Sequence, residues 1–303
     1  MGSLVHVASL NRNPARGGIS SPEALDALRA DTEPWVVRAA AMGAQVLLFT
    51  ETYPEMAERY RLGADLPIED ADSGSLEIAV DLAQRHQIDL VWQRKERGPD
   101  GIHNTSTYVN RAGDILGRYH KMFPTIGEME IGVRPGDEAV VIETEYGRVG
   151  FAICFDLNFD EVRNAYRALQ PDLIFFASAY PGGFKVPYWS LDLGCYMVSA
   201  VRHYLGQISD RRGRVLEHAT YEALITSVVN LNSVQLHMDD NWEKMDQMLA
   251  VYGSQLRFDY ATDEGRYQIS STGPRIDDLI EEFGLIRLED YFTASRQMRL
   301  ERL

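Results

Sequence analysis

Gly150-Phe-Ala-Ile-Cys154-Phe-Asp-Leu-Asn158 changes character in its middle. Val149–Cys154 is apolar and short, the pattern of a buried strand, and Phe159–Leu169 then takes up helical spacing. A strand that runs directly into a helix is the recurring join of an α/β protein. Downstream, Leu173–Ala177 is uniformly apolar, as a strand covered on both faces must be. Upstream, Ala139–Thr144 faces Val149–Cys154 across a Gly-containing turn and reads as its hairpin partner.

The same alternation extends in both directions. Val5–Leu10 reads as an opening strand and residues 11–19, with Asn11, Asn13, Pro14, Gly17 and Gly18, as a loop. Ser20-Ser-Pro-Glu sets a polar cap, an early Pro and a first-turn acid before one or two helices that end near Gly43. Val46–Phe49 is a second fully apolar strand, stopped by Thr50-Glu51-Thr52-Tyr53-Pro54. A helix over Leu76–His86, a strand over Asp89–Trp92 and a hairpin of Thr105–Asn110 with Ile115–His120 follow. Next come a helix over Tyr188–Tyr196 and strands over Met197–Val201, Tyr204–Ile208 and Ala223–Leu231. An amphipathic helix over Asp240–Tyr252 opens a tail of weaker pattern. The expected organisation is α/β with mixed sheets in one principal domain, residues 1–235, and a partly helical C-terminal extension, residues 236–303.

Composition narrows the partners. The 303 residues carry 45 Asp+Glu against 30 Lys+Arg, a net charge of −15, with no dense basic run. Such a surface repels phosphate backbones and anionic lipid, so no nucleic-acid partner is expected. No apolar run approaches the roughly 20 residues of a membrane helix, and no membrane association is expected. The opening Met-Gly-Ser-Leu-Val-His-Val lacks a basic stretch followed by an apolar core, and residue 6 is His where acylation at Gly2 would want Ser or Thr. Two cysteines make no disulfide framework, and no Cys/His cluster has metal-ligand spacing. A reducing cytoplasm is the expected setting.

Three residues stand where chemistry is often placed. Cys154 occupies a strand-to-helix join, where backbone amides favour a thiolate and a developing oxyanion; its other reading is a small buried apolar residue. Cys195, among Leu191, Leu193 and Met197, reads as core. None of the seven histidines sits in a pattern that marks a Cys-His dyad, although His120 is the best placed. A carboxylate at a strand end is then a natural base. Glu51 closes the apolar run Val46–Phe49, and Lys121 closes Gly117-Arg-Tyr-His-Lys121. Each, taken alone, reads first as a solvated surface charge.

Together these segments resemble a known family. Leu47-Leu-Phe-Thr-Glu51, Gly117-Arg-Tyr-His-Lys121 and Gly150-Phe-Ala-Ile-Cys154-Phe-Asp156 are similar, in order and spacing, to the three signature regions of the nitrilase superfamily. Asn104-Thr-Ser-Thr-Tyr-Val-Asn-Arg-Ala-Gly-Asp, Arg134-Pro-Gly-Asp, Asp172–Ala179 and Arg212-Gly-Arg-Val-Leu resemble supporting segments, so the likeness runs over residues 4–232. It departs at Asn158-Phe-Asp160-Glu161, where many members have Arg-Phe-Pro-Glu, and in a short stretch between Val201 and Arg211.

The resemblance implies a four-layer αββα sandwich in a homo-oligomer, a dimer or larger, and a carbon-nitrogen hydrolase domain over residues 1–235. It implies Cys154 as nucleophile, Glu51 as base, Lys121 as oxyanion partner and a second glutamate, Glu128, with Glu130 as the alternative. It calls for no metal and no organic cofactor. The implied reaction is cleavage of a non-peptide C–N bond in a small molecule through a thioester, with ammonia released. Cys154-Phe155-Asp156 is closer to amidase-type branches than to the Cys-Trp-Glu of nitrilases; nitriles and N-carbamoyl amides are the alternative substrates, and a non-catalytic binding or scaffold relative is the alternative of another class. Phe155, through its backbone N–H, joins Tyr53, Tyr180 and Trp189 as expected substrate-binding positions. The extension is expected to pack on the core or on a second subunit.

Overall fold

A computed structural model describes residues 4–261 and 265–303. Residues 1–3, where the expected domain begins and the acylation reading fell, lie outside the described residues. The chain divides into two compact units, Val5–Val229 and, with Leu4, Asn230–Leu303.

The larger unit alternates strands and helices in the order β1 (Leu4–Leu10), α1 (Pro22–Ala41), β2 (Val46–Leu48), α2 (Met56–Leu62), β3 (Glu69–Asp70), α3 (Ser75–His86), β4 (Asp89–Gly98), β5 (Gly101–Val109) and β6 (Ile115–His120). It continues through α4 (Ile126–Glu130), β7 (Val141–Glu143), β8 (Arg148–Ile153), α5 (Asp160–Leu169), β9 (Leu173–Ser178), α6 (Lys185–Leu193), β10 (Tyr196–Val201), β11 (Gln207–Ser209), β12 (Val215–His218) and β13 (Leu224–Asn230). One sheet has the order β13-β1-β2-β4-β5-β6, with β3 beside β4; the other has the order β12-β11-β10-β9-β8-β7. Both are mixed: β1, β2 and β4 are parallel, as are β8, β9 and β10, and hairpins extend each sheet.

Apolar stripes of α1 (Leu28, Val36, Ala39) and α3 (Leu76, Ala79, Leu82, Ala83) pack on the first sheet. Those of α5 (Val162, Tyr166) and α6 (Val186, Trp189) pack on the second. The sheets meet through their other faces, where the Tyr119 and Phe151 rings stack 6.4 Å apart. These are the four layers of an αββα sandwich.

Local differences from the sequence reading have clear causes. Residues 22–41 form one helix, with Ser21 as N-cap accepting from the Ala24 N–H and with Pro34 inside it. β4 runs on through Gln93-Arg-Lys-Glu-Arg, which the sequence reading stopped at Trp92. Its buried charges are neutralised locally, Arg94 by Glu96 at 3.0 Å and Lys95 by Glu55 at 3.0 Å. The strand expected over Tyr204–Ile208 is only Gln207–Ser209, because His203 and Tyr204 both take positive φ, 62° and 60°, and turn the chain.

The smaller unit has an antiparallel sheet ordered β14 (Ser233–His237), β16 (Arg266–Ser271), β15 (Leu256–Ala261), with α7 (Met245–Tyr252), α8 (Ile276–Phe283) and α9 (Leu288–Glu301). Met245, Met248, Tyr267, Ile269 and Leu279 are part of its own core. The helix expected over Asp240–Tyr252 is α7 preceded by a short turn at Trp242–Lys244; the strands around it alternate apolar and polar residues, as in Leu256-Arg-Phe-Asp-Tyr260, but are short and were not expected. The domain boundary expected at residues 235/236 lies within β14. Among the described residues no helix is long and apolar enough to cross a membrane.

Candidate active site

β2 and β6 point the same way, since β2 is parallel to β4 and two antiparallel pairings lead from β4 to β6. Their C-terminal ends therefore deliver Glu51 and Lys121 to one edge of the first sheet. Cys154 leaves the end of β8 in the second sheet, and Ala179 the end of β9. The two edges meet where Glu51 Oε2 accepts from the Ala179 N–H at 3.0 Å.

Lys121 is the centre of the cluster. Its Nζ donates to Glu51 Oε1 at 2.9 Å and to Glu128 Oε2 at 2.8 Å, and the side chain is 1% exposed. An ammonium has three N–H donors, so one is left for another acceptor. Burial alone would lower its pKa, but the negative charge of Glu51 and the charges of Cys154 and Glu128 outweigh it, and Lys121 stays protonated.

Glu128 sits at the third position of α4, where its carboxylate accepts from the Thr125 N–H and hydroxyl while Thr125 caps the Glu128 N–H. Burial pushes this carboxyl up, yet the Lys121 charge and the hydrogen bonds hold it at about 2. Glu130, the alternative, is exposed at the end of the same short helix. Between the two glutamates lies Asn104, which the sequence reading quoted without a role. Its amide donates to Glu51 Oε1 at 2.9 Å and to Glu128 Oε1 at 2.8 Å.

Cys154 opens a tight turn, Cys154–Asn158, with a φ of 49°; α5 proper starts only at Asp160. A left-handed backbone is unfavourable for a side-chain-bearing residue by about 1–2 kcal/mol and is typical of functional turns. The thiol is 9% exposed. Burial raises its pKa, the Glu51 charge raises it further, and Lys121, the Ala179 N–H and the Ser178 hydroxyl only partly offset this, leaving it at about 11. The sulfur therefore enters the site as a protonated thiol.

The turn is held from beneath by Asp156, which is fully buried. Its carboxylate accepts from the Ile153 N–H at 2.9 Å, the Phe123 N–H at 2.8 Å and the Tyr119 hydroxyl at 2.7 Å. Asp156 thus ties the cysteine turn to the segment that carries Lys121. Arg202, at the end of β10, is a further residue missed by sequence reasoning; its Nη2 donates to the Glu51 carbonyl at 2.7 Å and to Thr52 Oγ1 at 2.9 Å. Its signal was available, since it closes an apolar strand just as Glu51 does.

The aromatic positions divide. Tyr180 is partly buried, directly after Ala179, and feels the charges of Cys154 and Lys121. Phe155 is partly buried, its ring edge-on to Phe159 at 5.1 Å. Tyr53 lies instead in the helix–sheet core, unexposed, against Phe49 at 4.8 Å and Trp92 at 5.6 Å, with its hydroxyl 3.3 Å from Thr32 Oγ1. The positive φ of Thr52, 50°, breaks strand alternation and turns the next side chain under α1. Trp189 shares the core-facing stripe of α6 with Val186, one helical turn away, and is 1% exposed.

Comparison with known proteins agrees with this architecture. The family profile described as carbon-nitrogen hydrolase matches residues 7–238. The chain is 25% identical over 169 residues to a chloroplastic omega-amidase of Arabidopsis thaliana, covering 50% of this chain and 43% of the relative. It is 27% identical over 143 residues to the omega-amidase NIT3 of Saccharomyces cerevisiae, covering 44% and 48%. The aligned parts thus span less than half the length of these relatives. Among solved structures, a mutant of the Nesterenkonia AN1 amidase from the nitrilase superfamily matches with a TM-score of 0.62 at 19% identity, over 76% of this chain and 92% of that one. Saccharomyces cerevisiae Nit3, a member of branch 10 of the nitrilase superfamily, matches with a TM-score of 0.63 at 19% identity, over 82% and 95%.

Proposed function

This chain belongs to the carbon-nitrogen hydrolase family, and from that premise we propose that it hydrolyses a non-peptide C–N bond of a small amide through a thioester on Cys154. The observation that carries the reading is the Lys121 ammonium bonded between the Glu51 and Glu128 carboxylates, with the Cys154 thiol in electrostatic reach of Glu51 and Lys121.

In this mechanism Glu51 takes the thiol proton as the sulfur attacks the amide carbon. A protonated thiol near 11 is a poor nucleophile at neutral pH, so a base in contact is required. The carbonyl oxygen, now negative, is met by the third N–H of Lys121 and the Phe155 backbone N–H; losing one such donor lowers turnover by about 10²–10³. Glu51 returns its proton to the nitrogen, the C–N bond breaks, and ammonia leaves. Water then gives a proton to Glu51 and attacks the thioester, the C–S bond breaks, the thiol is re-formed, and a carboxylic acid departs. The sum is amide plus water giving acid plus ammonia. Glu128 and Asn104 keep Lys121 and Glu51 in register, and Tyr180 lines the substrate space.

The amide reading draws support from the likeness to two omega-amidases and to the Nesterenkonia AN1 amidase. The free thiols of Cys154 and Cys195 agree with a cytoplasmic setting. A homo-oligomer, with the C-terminal unit in subunit docking, is part of the same proposal; light scattering that returns the mass of one chain removes it. The central test is ammonia release from a panel of small amides, nitriles and N-carbamoyl compounds, with Cys154→Ala as control and mass spectrometry for an acyl group on Cys154. Amide turnover with a trapped Cys154 adduct is expected. Silence across the panel in a folded chain would return the protein to a binding or scaffold role.

A further inference from the structure

The two oxygens of the Glu51 carboxylate keep different company. Oε1 accepts from Lys121 Nζ at 2.9 Å and from Asn104 Nδ2 at 2.9 Å, both on the first sheet's side of the site. Oε2 accepts from the Ala179 N–H at 3.0 Å and from no other group among the described residues. Ala179 follows β9, which runs parallel to β8, the strand that ends at Cys154. Oε1 thus belongs to the lysine side of the site and Oε2 to the cysteine side.

Each carboxylate oxygen has about two lone-pair positions for hydrogen bonds. Oε1 is therefore filled, and Oε2 has one position open. Lys121 alone would leave a position open on both oxygens; Asn104 makes the difference. Asn104 is fully buried in β5, and its two amide hydrogens go to Glu51 Oε1 and, at 2.8 Å, to Glu128 Oε1. Charge fixes this orientation, because the reversed amide would set Oδ1 against two carboxylates. Oδ1 itself is buried with no partner, an unfavourable arrangement that the chain keeps at this position. A hydroxyl in its place could accept as well as donate, and so would tolerate a proton on Oε1. A second ammonium would add an uncompensated charge.

We infer that Asn104 is a positioning residue for the proton: by occupying Oε1 it confines the proton that Glu51 carries to Oε2, the oxygen on the side of the cysteine strand. This role deepens the amide-hydrolase reading and rests on it for the source of the proton, but not for the hydrogen bonds that direct it. In the first step the S–H bond breaks as Oε2–H forms, and the sulfur uses the freed electron pair to bond the amide carbon. The same proton then passes from Oε2 to the nitrogen as the C–N bond breaks. A proton on Oε1 would instead face two N–H donors, on the lysine side.

Two variants test this. Asn104→Ala removes the donor; Asn104→Asp keeps the shape and, once ionised, can only accept, and it serves where the truncated chain does not fold. For butyramide, kcat is expected to fall about tenfold or more in either variant with KM changed by less than about twofold. The acid limb of kcat/KM is expected to move about one unit to higher pH, because a carboxylate that loses a hydrogen bond holds its proton more tightly. The second reading needs no turnover: carbon-13 NMR of the Glu51 side-chain carboxyl in Cys154→Ala, with either Asn104 substitution added. Its titration midpoint is expected to rise by about one pH unit. A midpoint that neither substitution moves, or an Asn104→Asp chain as active as the native one, overturns this role. A raised midpoint in a chain that releases ammonia from no amide sustains the hold of Asn104 on Glu51 and rejects the hydrolase reading instead.

Discussion

The Tyr119 hydroxyl donates to Asp156 Oδ2 at 2.7 Å, joining the strand that delivers the lysine to the turn that delivers the cysteine. One buried carboxylate thereby sets the relative position of two groups that belong to different sheets.

Asp156→Asn should therefore damage both stability and activity. An amide has one acceptor oxygen where the carboxylate receives three bonds, and its NH₂ would face N–H donors. The expected loss is about 1–3 kcal/mol in urea unfolding. Burial raises Asp156 to about 6, and its hydrogen bonds offset this only in part. A carboxyl raised in the folded state contributes stability below its unfolded value that is lost as pH rises through about 6. That fall is expected in the native chain and absent from Asp156→Asn. Unfolding curves that superimpose would remove Asp156 as the link between the sheets.

Glu128 works in the opposite sense. Burial raises it, but Lys121 prevails and holds it at about 2 against a reference of 4.5. Its contribution is complete above the unfolded value and is lost as pH falls from there to about 2. The increment is on the order of 3 kcal/mol. Glu128→Gln should flatten the acid limb of the stability curve, measured by chemical unfolding at successive acid pH values, and slow turnover because Lys121 loses an anchor. An acid limb as steep as that of the native chain would contradict the ion pair.

Cys154 and Glu51 allow a sharper division. Burial first, then the Glu51 charge, raises the thiol to about 11, so ultraviolet thiolate absorbance should stay flat through neutrality. Glu51→Gln removes the nearby anion, and the onset of thiolate absorbance should move to lower pH. Hydrolysis should nonetheless fall, by about 10²-fold or more, because the base is gone. Full turnover in Glu51→Gln would exclude Glu51 from proton transfer.

Glu51, Lys121 and Cys154 were legible as candidates because each stands at the end of an expected strand, and α/β sheets often present functional groups there. Asn104 was not, because it sits inside β5, where only pairing and face decide whether it meets Glu51 or solvent. Tyr53 and Trp189 were misread as pocket walls because nearness to a strand end does not say which way a ring points. The turn at Thr52 sent one into the core beneath α1, and the stripe shared with Val186 sent the other onto the second sheet.

By itself the sequence determined the alternation of strands and helices and the family, since these depend on local pattern and residue type. Only the tertiary structure decided that Lys121 lies between two carboxylates, that Asp156 couples the sheets and that Arg202 donates to the Glu51 carbonyl. Those are matters of charge balance among side chains far apart in the chain, and electrostatic interactions depend on distance and burial, which residue order does not contain.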